Sequence, residues 1–161
     1  MPQDLSFDLH ALTARLDRSA DRILQAEYGL SYRRFLTLLI VSRLGAPTQR
    51  AVSEELGVSE PSASRMTGVL AGMGLLDAQP DPAGGNRRRL SLTADGRQMV
   101  EQCRALLERR FHDLVKRSGV SYADYAHNTR LLLDALNTSA VPGVAAATTT
   151  TLRDVPSTDR A

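Results

Sequence analysis

Tryptophan is absent from this 161-residue sequence, and Tyr and Phe together make up only 4% of it. Its core must therefore be aliphatic, filled by Leu, Val, Ile, Ala and Met. Cysteine occurs once, at Cys103, which excludes a disulfide within the chain and points to a reduced, cytoplasmic setting. Lysine also occurs once, so 19 of the 20 basic residues are arginine. That bias, with the 20 alanines, hints at a GC-rich genome. The formal net charge is only +2, so total charge does not announce nucleic acid, and any such case rests on where the arginines sit. No segment approaches the roughly 20 apolar residues of a membrane span. The opening MPQDLSFDLHALTARLDRSADR carries acids early and has no unbroken apolar run, unlike a secretory signal. No Gly-rich phosphate loop, nucleophile elbow or paired carboxylates occur, so neither an enzyme nor a bound cofactor is expected. His10, His112 and His127 are widely spaced without a companion Cys/Asp/Glu pattern, and no metal site is expected.

What is present is a series of helical stripes separated by sharp stops. Leu5, Leu9, Leu12, Leu16 and Ile23 recur at spacings of three, four and seven, predicting a helix from about Ser6 to Tyr28 with Gly29 as its stop. The near-heptad spacing predicts a partner helix. Ser31 reads as the cap of a second helix carrying Phe35, Leu36, Leu39, Ile40 and Leu44, broken by Gly45-Ala46-Pro47. Thr48 caps a short third helix with Ala51, Val52 and Leu56 inward, and Gly57 is its left-handed stop. Ser59 caps a fourth, with Pro61 in the first turn and Ala63, Met66, Val69, Leu70 and Met73 as the buried stripe.

Two short strands, LLDAQ (75–79) and RLSLT (89–93), then flank a tip containing Pro80, Pro82, Gly84 and Gly85. Two strands alone are barely stable, so this hairpin needs a third strand or a helix to pack on. Thr93-Ala-Asp-Gly96 opens a long helix to about Arg117 with Met99, Cys103, Leu106, Leu107, Arg110 and Leu114 on its stripe. Cys103, on that stripe and without a second cysteine, reads as a small buried hydrophobe. Ser121 caps a last helix to about Asn137, with Tyr125, Leu132, Leu133 and Leu136 inward. From residue 138 to 161 the Ala-, Thr- and Pro-rich chain has no period and reads as a disordered, passive tail. The fold class is mainly α with a small β-wing: a helix-turn-helix from Thr48 to Met73 followed directly by a hairpin.

TQRAVSEELGVSEPSASRMTGVLAGMGLL and GGNRRRLSLTADGR, in this order and flanked by terminal helices, resemble the MarR family of winged-helix transcriptional regulators. The resemblance covers about Leu5 to Leu136. It implies one regulator domain over 1–137, with a DNA-binding part over about 31–96 and dimerisation helices over about 5–28 and 97–137. It further implies a homodimer on a near-palindromic operator in double-stranded DNA, held together by Leu5, Leu9, Leu12, Leu16, Leu132, Leu133 and Leu136. A small-molecule effector would bind between the dimer helices and the winged part, where His10, Tyr28, Tyr32 and Arg33 are the candidates. The same four residues can equally pack at a helix joint.

The chemistry agrees with that role. Ser59, Ser62, Ser64, Arg65 and Thr67 fall in and after the first turns of the fourth helix, where short hydroxyls allow close approach and Arg65 is the one long donor able to read guanine. Thr48 and Gln49 open the third helix, where N–H groups face a phosphate well. Gly68, inside the fourth helix, is about 1 kcal/mol less favourable than Ala; close approach to DNA or to another helix would explain it. Arg87, Arg88 and Arg89 follow the wing tip, and strand alternation puts Arg87 and Arg89 on one face and Arg88 on the other. The family's wing carries an Asp-x-Arg pair whose positions fall here on Gly84 and Asn86. Its bracing Asp is missing unless Asp81 substitutes, and Arg87 and Arg88 are favoured as the reaching pair. The expected function is a DNA-binding regulator, a repressor relieved by a signal. Its rival is a ligand-binding or protein-interaction dimer that keeps the fold without touching DNA, which the near-neutral charge favours slightly.

Overall fold

Side-chain caps set the helix starts in the computed structural model, which describes residues 4–138. Asp4, Ser31, Thr48 and Ser59 each accept the N–H three residues on, satisfying one of the first-turn donors that have no partner within the helix. The resulting order is α1 (Leu5–Tyr28), α2 (Tyr32–Leu44), α3 (Gln49–Leu56), α4 (Glu60–Gly72), β1 (Leu76–Pro80), β2 (Arg88–Leu92), α5 (Ala94–Ser118) and α6 (Tyr122–Thr138). The chain is thus mainly α with a small β-wing, as expected. Gly57 ends α3 at φ +64, and its turn is closed by the Val58 N–H on the Ser53 carbonyl at 3.0 Å. Only a residue free to adopt the left-handed region makes that tight α3–α4 turn without strain.

The chain divides into two compact units, the first ending at Arg110 and the second beginning at Phe111. Val100, Cys103 and Leu106 of α5 belong to the core of the first unit, together with Leu24, Leu30, Phe35, Leu38, Val41, Val52, Leu70, Leu75, Leu76 and Leu90. The stripes differ from expectation in detail. In α2 the buried residues are Phe35, Thr37, Leu38 and Val41, while Leu44 is exposed. In α4 they are Ala63, Thr67 and Leu70, while Val69 and Met73 are exposed. In α5, Val100 is buried where Met99 was expected, and Arg110 and Leu114 are exposed.

The strands are antiparallel, pairing Leu76 with Leu92, Ala78 with Leu90 and Pro80 with Arg88. Each lies one residue from its expected place, although the Thr93 N–H still donates to the Leu75 carbonyl (3.2 Å) just beyond the paired strands. The Leu75 N–H closes the end of α4 on the Leu70 carbonyl (3.0 Å). The Thr93 hydroxyl oxygen caps α5 by accepting the Gly96 N–H (3.0 Å). Gly96 is sterically required there, since a Cβ would collide with the Leu75 carbonyl oxygen. The hairpin's support is the α2–α3 connection: Leu90 donates its N–H to the Pro47 carbonyl (2.9 Å), and Thr48 forms a bridge with Arg89.

In the second unit, Phe111 meets Tyr122 and Tyr125 with ring centroids 6.4 and 6.1 Å apart, and His112 lies 4.9 Å from Tyr122. Ser121 caps α6, as expected, by accepting the Asp124 N–H. No residue of α6 is buried. Leu132, Leu133 and Leu136, expected inward, are exposed in the single chain, Leu136 at 72%. Thr138, placed by sequence at the start of the tail, is the last residue of α6; the rest of the tail lies outside the described residues.

Candidate nucleic-acid interface

The start of α4 carries a small polar network. The Ser59 hydroxyl accepts the Ser62 N–H and donates to Ser62 Oγ at 3.1 Å, and Arg65 Nη2 donates to the same Ser62 Oγ at 3.2 Å. Ser59 is therefore the cap as well as a surface hydroxyl, and Ser62 orients Arg65. Ser59, Ser64 and Arg65 are exposed and Ser62 is half-buried. A hydroxyl pair with one guanidinium, on the leading turns of a helix, can donate to phosphate oxygens or to the acceptor edge of a base. Gly68 is exposed, and among the described residues nothing lies within 4 Å of where its Cβ would stand, so no other described helix explains it.

Two expected contact residues turn out to face inward. Thr67 is 3% exposed; its hydroxyl donates to the Ser64 carbonyl at 3.1 Å and accepts from Gln49 Nε2 at 2.9 Å. Thr67 is thus buried rather than on the surface of α4, and Gln49, half-buried, has its amide committed to it. Together they tie α3 to α4 inside the helix-turn-helix. The reason is rotational: the α4 stripe turns so that Thr67, between Ala63 and Leu70, points into the core. Sequence offered no signal for this pairing, because a Thr and a Gln 18 residues apart match no local pattern. Thr48 is half-buried and serves as the α3 cap, accepting the Ala51 N–H at 3.2 Å.

The wing separates its three arginines by environment. Arg89 Nε lies 3.4 Å from Asp81 Oδ2, and its Nη1 donates to the Ala46 carbonyl at 3.0 Å. The Asp81 side chain is 3% exposed. Its Oδ1 accepts the Ala83 N–H at 3.1 Å. That backbone bond is the main influence holding the Asp81 carboxyl below its ordinary pKa; Arg89 and Arg87 act in the same direction, against burial. Asp81 is therefore the wing carboxylate within ion-pair reach of an arginine, three residues before Gly84. Arg87 and Arg88 are exposed, with no salt bridge among the described residues. A shallow hollow of about 540 Å³ lies beside the wing, lined by Ala46, Gln79, Pro80, Asp81, Pro82, Ala83, Arg89 and Ser91.

The effector candidates do not gather into one site in the single chain. His10 and Tyr28 are 18 residues apart on α1, about 27 Å at 1.5 Å per residue. Tyr28 and Tyr32 pack partly buried against the core, and the Tyr32 N–H donates to Asp21 Oδ1 at 2.8 Å. Burial raises the Tyr32 phenol pKa, and Asp17 adds to the rise. Arg33 is exposed. Cys103 is fully buried, as read from its stripe, and burial pushes its thiol up to about 11. Among the described residues no three His, Cys, Asp or Glu side chains gather in a way that could hold a metal ion. No helix among those residues is long and apolar enough to cross a membrane.

Comparison with known proteins returns one family and one fold. The MarR family model matches residues 28–85, from the end of α1 through the helix-turn-helix to the wing tip. No curated protein sequence matches the chain. Wild-type apo MarR from Escherichia coli superposes with a TM-score of 0.72 at 22% identity, covering 84% of this chain and 97% of that one. A mutant of the same protein complexed with operator DNA gives 0.67 at 21% identity, covering 83% and 94%. The MepR–DNA complex from Staphylococcus aureus gives 0.64 at 18% identity, covering 83% and 96%. The family match thus lies on the helix-turn-helix itself, and the fold this chain shares with these solved structures runs along the described helices: the chain is similar to the MarR family over residues 28–85.

Proposed function

We propose that the chain is a sequence-specific, DNA-binding transcriptional regulator acting as a homodimer. The observation that carries this reading is the division of polar groups in the first unit. Thr67, Gln49, Asp81 and Arg89 are bonded internally, whereas Ser59, Ser64, Arg65, Arg87 and Arg88 are left on the surface of the helix-turn-helix and wing. The similar E. coli and S. aureus proteins have been seen with DNA bound. In this reading the leading turns of α4 enter the major groove, Arg65 reads a base edge, and Arg87 and Arg88 grip the backbone or minor groove.

A second copy would cover the apolar side chains that α1 and α6 leave exposed, Leu5, Leu9, Leu132, Leu133 and Leu136 among them. Two recognition helices related by a two-fold axis would then read a near-palindromic operator. Repression in the cytoplasm, relieved by a small molecule at Tyr28, Tyr32 and Arg33, completes the reading; His10 would join that site only from a second copy.

Selection of duplexes from a random pool by the purified chain, followed by binding across a salt series, tests it. A two-fold-symmetric consensus and a log K that falls linearly with log salt are expected. Enrichment of no sequence, with no salt-sensitive binding, would sink this proposal in favour of a partner-binding dimer.

A further inference from the structure

The three consecutive wing arginines look interchangeable in sequence, but their surroundings are not. Arg89 forks between the Asp81 carboxylate on β1's side of the tip and the Ala46 carbonyl before α3. Asp81 is tied in by more than its charge. Its N–H donates to the Arg87 carbonyl at 2.9 Å, its carbonyl accepts the Gly84 N–H at 3.0 Å, and its carboxylate accepts the Ala83 N–H. One buried residue thus holds both limbs of the tip, and Arg89 fastens that residue to the α2–α3 connection. The adjacent Leu90 N–H on Pro47 anchors the same strand by its backbone.

We propose that Asp81 and Arg89 form a pin that sets the position of the wing, so that Arg87 and Arg88 meet DNA while Arg89 makes no DNA contact itself. This rests on the DNA-binding reading above. If Arg89 turned to a phosphate it would leave a nearly buried carboxylate without its cation, an arrangement that is strongly disfavoured. Arg87 and Arg88 have no such commitment. Arg89 and Asp81 are then positioning residues, and their effect on binding passes through the other two arginines.

The two roles for Arg89 predict opposite signs for one substitution. Asp81→Asn keeps an acceptor for the Ala83 N–H but removes the charge that holds Arg89. If Arg89 were a phosphate contact, this change would release it from Asp81 and remove a nearby negative charge, so binding would tighten. The pin predicts the reverse: binding to a duplex selected by the wild-type chain weakens several-fold. Arg89→Ala should weaken it similarly. In either background, adding Arg87→Ala with Arg88→Ala should produce little further loss, because those arginines are already misplaced. Arg89→Lys keeps the charge but cannot fork to both acceptors, and should fall between wild type and Arg89→Ala.

Exchange of the Leu90 amide, followed without DNA, should quicken in Asp81→Asn while the α4 amides keep wild-type protection; this separates a loosened wing from a misfolded unit. Tighter binding by Asp81→Asn, wild-type binding by Arg89→Lys, or full additivity of Arg89→Ala with the Arg87/Arg88 pair would each overturn the pin. Failure of the wild-type chain to select any duplex would instead remove the proposed function, and this inference with it.

Discussion

Helices α4 and α6 are alike on paper and opposite in the structure. Each has a serine cap at its start and an apolar stripe at helical spacing. In α4, Ala63, Thr67 and Leu70 are buried within their own unit. In α6 no residue is buried, and Leu131, Leu132, Leu133 and Leu136 are all more than half exposed. Periodicity therefore identifies which side of a helix seeks cover; it does not say which chain provides the cover. A stripe of exposed leucines is costly in water, at about 25 cal/mol per Å² of apolar surface. That cost is the driving force for the second copy in the proposed dimer.

The contrast makes concentration the deciding variable. Leu70→Ala opens a cavity in a self-contained core and should destabilise the first unit by about 2–5 kcal/mol, whatever the protein concentration. Denaturant unfolding at several concentrations checks this. Leu132→Glu with Leu136→Glu should leave the cavity-free core of the first unit intact, yet shift the chain from dimer to monomer in analytical ultracentrifugation. It should also remove the concentration dependence of the wild-type Tm. If the double variant sediments as the wild type does, α6 is not the dimer surface and the contrast with α4 has another cause.

Much of the first unit was legible because local rules govern it. Caps at Ser31, Thr48 and Ser59, the stop at Gly57 and the Thr93-Ala-Asp-Gly96 opening of α5 are short-range patterns with short-range causes. The fine phase of the stripes was less legible. Leu44, Val69, Met73 and Leu114 have the right chemistry for a core, but neighbouring turns at Leu38, Thr67, Leu70 and Val100 are nearer its centre. Long-range polar pairs were not readable at all. Gln49 with Thr67 looked like two separate DNA contacts, and Arg89 looked like Arg87 and Arg88, because sequence order does not reveal which donor already has an acceptor. The division of the chain within α5 was hidden for a similar reason, since a continuous helix gives no boundary signal.

The same distinction separates mutations that alter reading from those that alter support. Arg65→Ala should relax preference at one base position by about 1–3 kcal/mol, measured against a panel of single-base operator variants. Thr67→Val removes both hydrogen bonds of a buried hydroxyl and strands the Gln49 amide. It should lower stability by about 1–3 kcal/mol while leaving the pattern of base preference unchanged. A changed preference in Thr67→Val would mean that the hydroxyl faces DNA after all, and the inward assignment would fail.

The smallest effect concerns the Asp81 carboxyl, and its sign can be worked out. Its pKa in the folded chain lies below the ordinary value, chiefly because the Ala83 N–H bonds to the ionised form, with Arg89 and Arg87 assisting. A lowered pKa means that the folded state favours the charged carboxylate. The contribution to stability is then complete above the unfolded carboxyl pKa of about 4 and fades as pH falls through the folded value. Wild type should therefore exceed Asp81→Asn in stability at about pH 5, and the gap should narrow at about pH 3 as the wild-type carboxyl takes up its proton. Because Asp81 is satisfied within the first unit, the gap at either pH should not vary with protein concentration, unlike the effects placed on α6. A gap that stays constant between the two pH values would show that neither the Ala83 N–H nor Arg89 distinguishes the charged form. A gap that grows with dilution would show that the wing is not part of a self-contained unit.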